Sequence, residues 1–145
     1  MVSQGLTIVH CAAEVSPFVK VGGLADVVGS LPGVLADKGH ECIVFMPRYK
    51  KIDPVHWGFS RLPEVLELPE ENTAAGLWKG SLPNHPNVTV YMIEHHDWFE
   101  TTDDIYPYGQ DDFEAGIGAE AIRKLLENLD LDREKLIYGV DVFPD

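Results

Sequence analysis

Apolar and polar positions divide the front of this chain into segments of two different periods. Leu6-Thr7-Ile8-Val9-His10-Cys11-Ala12-Ala13 is a short, nearly unbroken apolar run. That is the pattern of a strand covered on both faces. From about Leu24 to Lys38 the period changes. Leu24, Val27, Val28, Leu31, Val34 and Leu35 recur at helical spacing and predict an amphipathic helix with those residues on its inner face. Pro32 falls in the middle and is expected to bend or split the helix, because it lacks an N–H and crowds the carbonyl four residues back. Gly39 is placed to terminate it. Glu41-Cys42-Ile43-Val44-Phe45-Met46 is a second apolar strand. The three segments make a β–α–β unit, which is expected to cross over right-handed.

Beyond Lys50 the pattern weakens. Leu62 to Leu68 and Gly76 to Ser81 read as strands of an antiparallel excursion, with a turn over Leu82-Pro83-Asn84-His85-Pro86. Val88 to Ile93 is a strand rich in β-branched residues. Asp97 to Asp112 is an acidic loop containing Tyr, Pro and Gly. Phe113 to Leu129 has helical spacing, with Ile117, Ile122, Leu125, Leu126 and Leu129 on the buried side. No internal repeat or low-complexity segment occurs.

At 145 residues the chain has the size of one ordinary domain. The formal net charge of -13 argues against a nucleic-acid partner, which would demand clustered Lys and Arg. Much of the acid falls in runs at 64–71, 103–114 and 130–134, read as solvated surface. No apolar stretch has the length of a membrane span. The first residues lack the basic start and apolar core of a signal peptide, so the expected location is the cytoplasm. Cys11 and Cys42 both sit in apolar strands. They are expected to be buried, unbridged thiols; whether they face each other is open.

The chemistry concentrates between the first strand and the first helix, in Glu14-Val15-Ser16-Pro17-Phe18-Val19-Lys20-Val21-Gly22-Gly23-Leu24-Ala25-Asp26. A Gly-Gly pair at a strand-to-helix turn lets a ligand approach the backbone closely. The open amides of the helix's first turn present partial positive charge there. Lys20 adds a full charge. The arrangement suits a diphosphate or a network of sugar hydroxyls. It matches neither the G-x-G-x-x-G nor the G-x-x-x-x-G-K-[ST] phosphate loop.

This stretch resembles the N-terminal signature of the glycogen and starch synthases. The likeness rests on Lys20-x-Gly22-Gly23-Leu24, the preceding Ala13-Glu14-x-x-Pro17-Phe18 and the following Ala25-Asp26-Val27. It continues through Gly29-Ser30-Leu31-Pro32, Gly39-His40-Glu41 and Val44-Phe45-Met46-Pro47-Arg48-Tyr49. Looser echoes lie at Val90-Tyr91-Met92-Ile93-Glu94-His95 and Tyr106-Pro107-Tyr108-Gly109. The resemblance implies an α/β, Rossmann-like parallel sheet with flanking helices. Residues 1–145 would form an incomplete N-terminal portion of a two-domain, GT-B-type glycosyltransferase. The implied activity is transfer of glucose from ADP-glucose or UDP-glucose to an α-1,4-glucan with retention. It needs no cofactor or metal, and the missing C-terminal domain of the same enzyme would supply the rest of the cleft. A non-catalytic carbohydrate- or nucleotide-binding module of the same fold is the alternative.

Residue by residue, the resemblance implies that Lys20 binds the nucleotide sugar and steadies the departing diphosphate, the catalytic role. Glu14, Gly22, Gly23 and Asp26 would line the same cleft as substrate-binding residues, with Tyr108 reaching toward it. Val21 stands where many members carry Thr, which removes one hydroxyl contact. Phe143-Pro144-Asp145 resembles the approach to a later His-containing motif. His95-His96-Asp97-Trp98 carries letters of that motif but follows a different strand. It is read as a decoy without metal or catalytic role, since neighbouring residues of an extended chain point opposite ways. His10 is expected to be a core histidine.

Overall fold

The computed structural model describes residues 5–68, 72–101 and 136–141. Strand β1 (Thr7–Ala12) leads through a loop to helix α1 (Gly23–Asp37) and strand β2 (Glu41–Pro47). β3 (Ser60–Leu68), β4 (Thr73–Leu82) and β5 (His85–Glu94) follow, then a single-turn helix α2 (His96–Phe99) and β6 (Leu136–Asp141). The helix expected over 113–129 and most of the acidic loop lie outside the described residues.

The strands form one six-stranded sheet in the order β3-β4-β5-β2-β1-β6. β5, β2, β1 and β6 are mutually parallel, and β3 and β4 extend one edge as antiparallel strands. The expected α/β, Rossmann-like sheet is therefore present, in mixed form. Parallel pairing sends the carboxyl ends of β1, β2, β5 and β6 to the same edge, where ligands of such sheets bind. The two-residue turn Pro83-Asn84 closes the β4–β5 hairpin, so the expected turn is shorter than its five-residue reading. Pro63 lies on edge strand β3 where the register slips between Arg61 and Val65, a place where a missing N–H is tolerated.

The core runs through the sheet. Val44, Phe45, Met46, Leu77, Val88, Val90, Met92 and Ile93 are fully buried. Phe45 and Tyr91, paired across β2 and β5, stack at 5.1 Å. His10 is buried within β1. Cys11 and Cys42 are buried and unbridged. Ile8 is registered with Cys42 and Cys11 with Phe45. Because side chains alternate along a strand, Cys11 and Cys42 project from opposite faces of the sheet and do not meet.

Helix α1 departs from its sequence reading in two respects. It is not split: it runs from Gly23 to Asp37 with Pro32 inside. Tertiary contacts on both sides of the proline hold it in one piece. Gly29 abuts the Ser16 carbonyl, which a Cβ would approach to 2.7 Å, and Gly33 lies against the ring of His85. The buried side is also rotated. Ala25, Val28, Pro32 and Gly33 face the sheet, while Val27, Leu31 and Val34 are 41%, 42% and 48% exposed. The small residues let the helix sit close to the sheet, and closeness rather than bulk selects the inner face. The end of α1 is as expected. Gly39 has φ +98°, with Gly39 N–H donating to Ala36 and His40 N–H to Leu35. That pair of bonds is the Schellman arrangement.

Helix propensity alone favours replacing a mid-helix glycine. Gly33→Val is nevertheless expected to destabilise the chain by about 1–3 kcal/mol, because the new side chain must displace His85. Urea denaturation checks this; unchanged stability would mean that the Gly33–His85 contact does not fix the position of α1.

Candidate functional site

The loop from Ala13 to Gly22 leaves β1 at the carboxyl edge of the sheet and is moored from several sides. Phe18 is buried and meets Trp57 and Phe59 edge-on, at 5.2 and 5.4 Å. Val15 and Val19 form a β-bridge, with Val19 N–H donating to the Val15 carbonyl at 3.0 Å. Ser16 N–H donates to the Ala25 carbonyl. From just beyond β2, the Tyr49 hydroxyl donates to the Ala13 carbonyl at 2.6 Å, and Tyr49 in turn meets Phe99 of α2. A loop held this way is a rigid platform, which suits precise ligand positioning.

Glu14 is buried beneath this loop, with 2% of its surface exposed. Its Oε1 accepts the backbone N–H groups of Val21 (3.3 Å), Gly22 (2.8 Å) and Ala25 (3.2 Å). On the outer surface Lys20 Nζ donates to Asp26 Oδ2 at 2.7 Å, and Ser16 Oγ to Asp26 Oδ1 at 3.1 Å. Lys20 and Asp26 are both more than half exposed. The hydrogen bonds from Lys20 and Ser16 hold the Asp26 carboxyl below the usual carboxylate range.

Gly22 is the N-cap of α1, at φ -151° and ψ -156°, and neither Gly22 nor Gly23 has a positive φ. The turn itself therefore does not demand glycine. Nor does packing: a Cβ on either residue would meet nothing within 4 Å. Five of the residues singled out in the sequence, Glu14, Lys20, Gly22, Gly23 and Asp26, are thus assembled within one loop and the first turn of α1. Tyr108 lies outside the described residues.

Two clefts lie nearby. One of about 190 Å³ is bordered by Ser16, Asp26, Gly29, Ser30 and Asn84. A second, of about 300 Å³ at the end of β5, is bordered by Arg61, Thr73, Glu94, His95, Asp97 and Glu100. In the second, His95 is buried and stacks on Trp98 at 3.9 Å, whereas His96 is exposed. The two histidines thus have different surroundings. Among the described residues no group of three or more His, Cys, Asp or Glu is placed to hold a metal ion. No described helix is long and apolar enough to cross a membrane.

Sequence reading assigned no role to Phe18, Tyr49 or the Arg48–Glu100 ion pair (2.5 Å) that ties β2 to the end of α2. Pro-Phe and Pro-Arg-Tyr stood in the resembled motifs, but their partners, Trp57, Phe59, Ala13 and Glu100, are set only by the fold.

A family model for the starch synthase catalytic domain matches residues 7–142. The chain belongs to that family. Among curated relatives, glycogen synthase 1 of Geobacter sulfurreducens is 47% identical over 97 residues, 65% of this chain and 19% of that protein. Glycogen synthase 1 of Geobacter metallireducens is 42% identical over 111 residues, 74% of this chain and 22% of the relative. Glycogen synthase of Moorella thermoacetica is 37% identical over 124 residues, 86% of this chain and 25% of the relative. The chain thus spans about a fifth to a quarter of the length of these relatives. In this family setting the loop carrying Lys20 and the two glycines belongs to a starch synthase catalytic domain.

The Lys20–Asp26 pair gives a direct check. A carboxyl whose pKa is depressed by folding favours the folded chain above its unfolded value, and that contribution disappears as the pH falls through the folded value. Lys20→Met should therefore raise the Asp26 pKa toward its ordinary value, measured by carbon NMR titration of the carboxyl. An unmoved Asp26 would show that the two side chains are not paired in solution.

Proposed function

We propose that this chain is the N-terminal part of a glucosyltransferase of glycogen or starch synthesis. It would face a nucleotide-activated glucose, ADP-glucose or UDP-glucose, and an α-1,4-glucan acceptor. In the reaction the bond between the anomeric carbon and the diphosphate breaks, and its electron pair leaves with the diphosphate. A new bond forms to a hydroxyl oxygen of the glucan end, on the same face of the sugar, and that hydroxyl's proton passes to the leaving diphosphate. Negative charge gathers on the leaving diphosphate, and fixed positive groups aimed there lower the barrier.

The observation that carries this reading is the unexplained pair of glycines. Neither backbone conformation nor internal packing requires Gly22 or Gly23. The space above them is what a ligand's close approach to the first-turn amides needs. Lys20 supplies the cationic partner for a diphosphate. Asp26 holds the Lys20 ammonium in place and is an acceptor for sugar hydroxyls; Tyr108 is assigned to the same cleft. Glu14 belongs to the same site. The remaining groups that hold the donor, and the setting in the cytoplasm, belong to the whole GT-B-type enzyme. A carbohydrate- or nucleotide-binding module without turnover is the competing reading.

Titrating ADP into the isotopically labelled chain is expected to shift the amide signals of Gly23 and Leu24 first, with Gly22 following. The affinity should be weak, on the order of millimolar, or about 4 kcal/mol, with only one side of the cleft engaged. Gly23→Val should abolish those shifts while changing stability by less than about 1 kcal/mol, because its side chain enters open space. Lys20→Ala should weaken binding, more so at low salt. Shifts clustered instead at His95 to Trp98, or ADP binding that survives Gly23→Val, would refute the donor-site reading. The chain alone is expected to transfer no glucosyl from ADP-glucose to glycogen; turnover above that of Lys20→Ala would show that the other domain is not required and would exclude the module.

A further inference from the structure

We propose that Glu14 is a positioning residue of the donor site rather than a ligand contact. It acts by dividing the loop amides into an inner and an outer set. The proposal rests on the donor-site reading of Lys20, Gly22 and Gly23.

A helix usually satisfies its first amides with an N-cap side chain, which accepts from the second or third residue of the helix. Helix α1 has no such cap, because Gly22 at the N-cap has no side chain and no side-chain cap bond is made. The vacancy is filled from a distance. Glu14, eleven residues earlier at the exit of β1, accepts the N–H of Ala25, the third residue of the helix. The same oxygen accepts Val21 and Gly22. Three amides that flank Gly23 and Leu24 are thereby drawn inward onto one buried atom.

The amides of Gly23 and Leu24 lie between those three along the chain. They belong to the first turn, where no intrahelical partner exists, and neither donates to any described residue. They form the outer set. With Val21, Gly22 and Ala25 fixed on one side of them, Gly23 and Leu24 have little freedom to reorient. A capping side chain on residue 22 would do the same work but would stand in the space a ligand needs. Placing the acceptor beneath the loop leaves that space open, as the absence of any atom within 4 Å of a Cβ on Gly22 or Gly23 records. The burial of Glu14 fits this role: its carboxylate lies under the backbone that a ligand would touch from above.

The test compares Glu14→Ala and Glu14→Gln in the full chain by amide hydrogen exchange and by ADP titration. Glutamine keeps an oxygen at the same reach; alanine removes the acceptor. In Glu14→Ala, exchange at Val21, Gly22 and Ala25 should rise at least about tenfold, while β2 and β5 stay protected, and the ADP response of Gly23 and Leu24 should vanish. In Glu14→Gln, protection and ADP response should both persist within about threefold, a rescue that a general loss of stability would not produce. A Gln variant that keeps its protection but loses the ADP response would overturn the proposal, because Glu14 would then touch the ligand. An Ala variant with fast exchange and an intact ADP response would also overturn it. If Glu14→Ala does not fold, the Gln variant decides alone by the same two readouts. A wild-type chain whose Gly23 and Leu24 amides ignore ADP removes the donor-site reading and this inference with it. A wild-type response combined with either adverse variant result removes only the inference.

Discussion

Everything at the functional edge depends on β1 being hydrogen-bonded on both sides by parallel strands, β2 and β6. A strand in that position has no free edge, and its direction and register are fixed by two ladders at once. The loop that leaves it therefore emerges from the middle of the sheet at a defined height. The neighbouring strand ends lie close enough to brace that loop. Tyr49, just beyond β2, reaches the carbonyl of Ala13, and Phe18 drops into the aromatic group made by Trp57 and Phe59. The position of the lysine, the glycines and the helix start along the chain is fixed because what precedes them is held in register.

Charge works on two scales in this molecule. The whole chain is strongly acidic, at -13, and repels anions at long range when salt is low. At physiological ionic strength that field decays within about 8 Å. Close to the loop the field is then set locally, by Lys20, by the open amides at the start of α1, and by the carboxyl groups of Glu14 and Asp26. One of these carboxylates is enclosed by backbone N–H groups and the other is engaged by Lys20 and Ser16. Both acids are occupied with donors, which tempers the negative field they would otherwise add at the loop surface.

The sequence exposed the parts of this fold that are written as local pattern. Two apolar strands, the helix between them and the glycine that ends it follow from spacing and from the conformational freedom of Gly39. The antiparallel excursion over β3 and β4 was visible as weaker alternation. Two features of α1 were not. Pro32 is overridden by contacts of Gly29 and Gly33 with distant residues, Ser16 and His85. The inner face is set by small residues that permit close approach, so a reading by hydrophobicity alone turned Val27, Leu31 and Val34 inward. At the site, motif letters located Glu14, Lys20, Gly22, Gly23 and Asp26 as a group. They did not show that Glu14 points into the protein while Lys20 and Asp26 pair outside it. Those directions arise from where the strand ends in relation to the helix, a three-dimensional quantity that no spacing in one dimension encodes.

The opposite-face placement of Cys11 and Cys42 gives the domain two independent chemical clocks. Burial, with a smaller contribution from Glu41, pushes the Cys42 thiol up to about 11. The reactive thiolate is then scarce at neutral pH. A thiol reagent reaches either sulfur only when the packing on its own face of the sheet parts. Labelling at one cysteine times the opening of one side of the domain, and labelling at the other times the second. A disulfide between them requires the sheet to come apart first, so any such bridge marks a chain that has lost its fold.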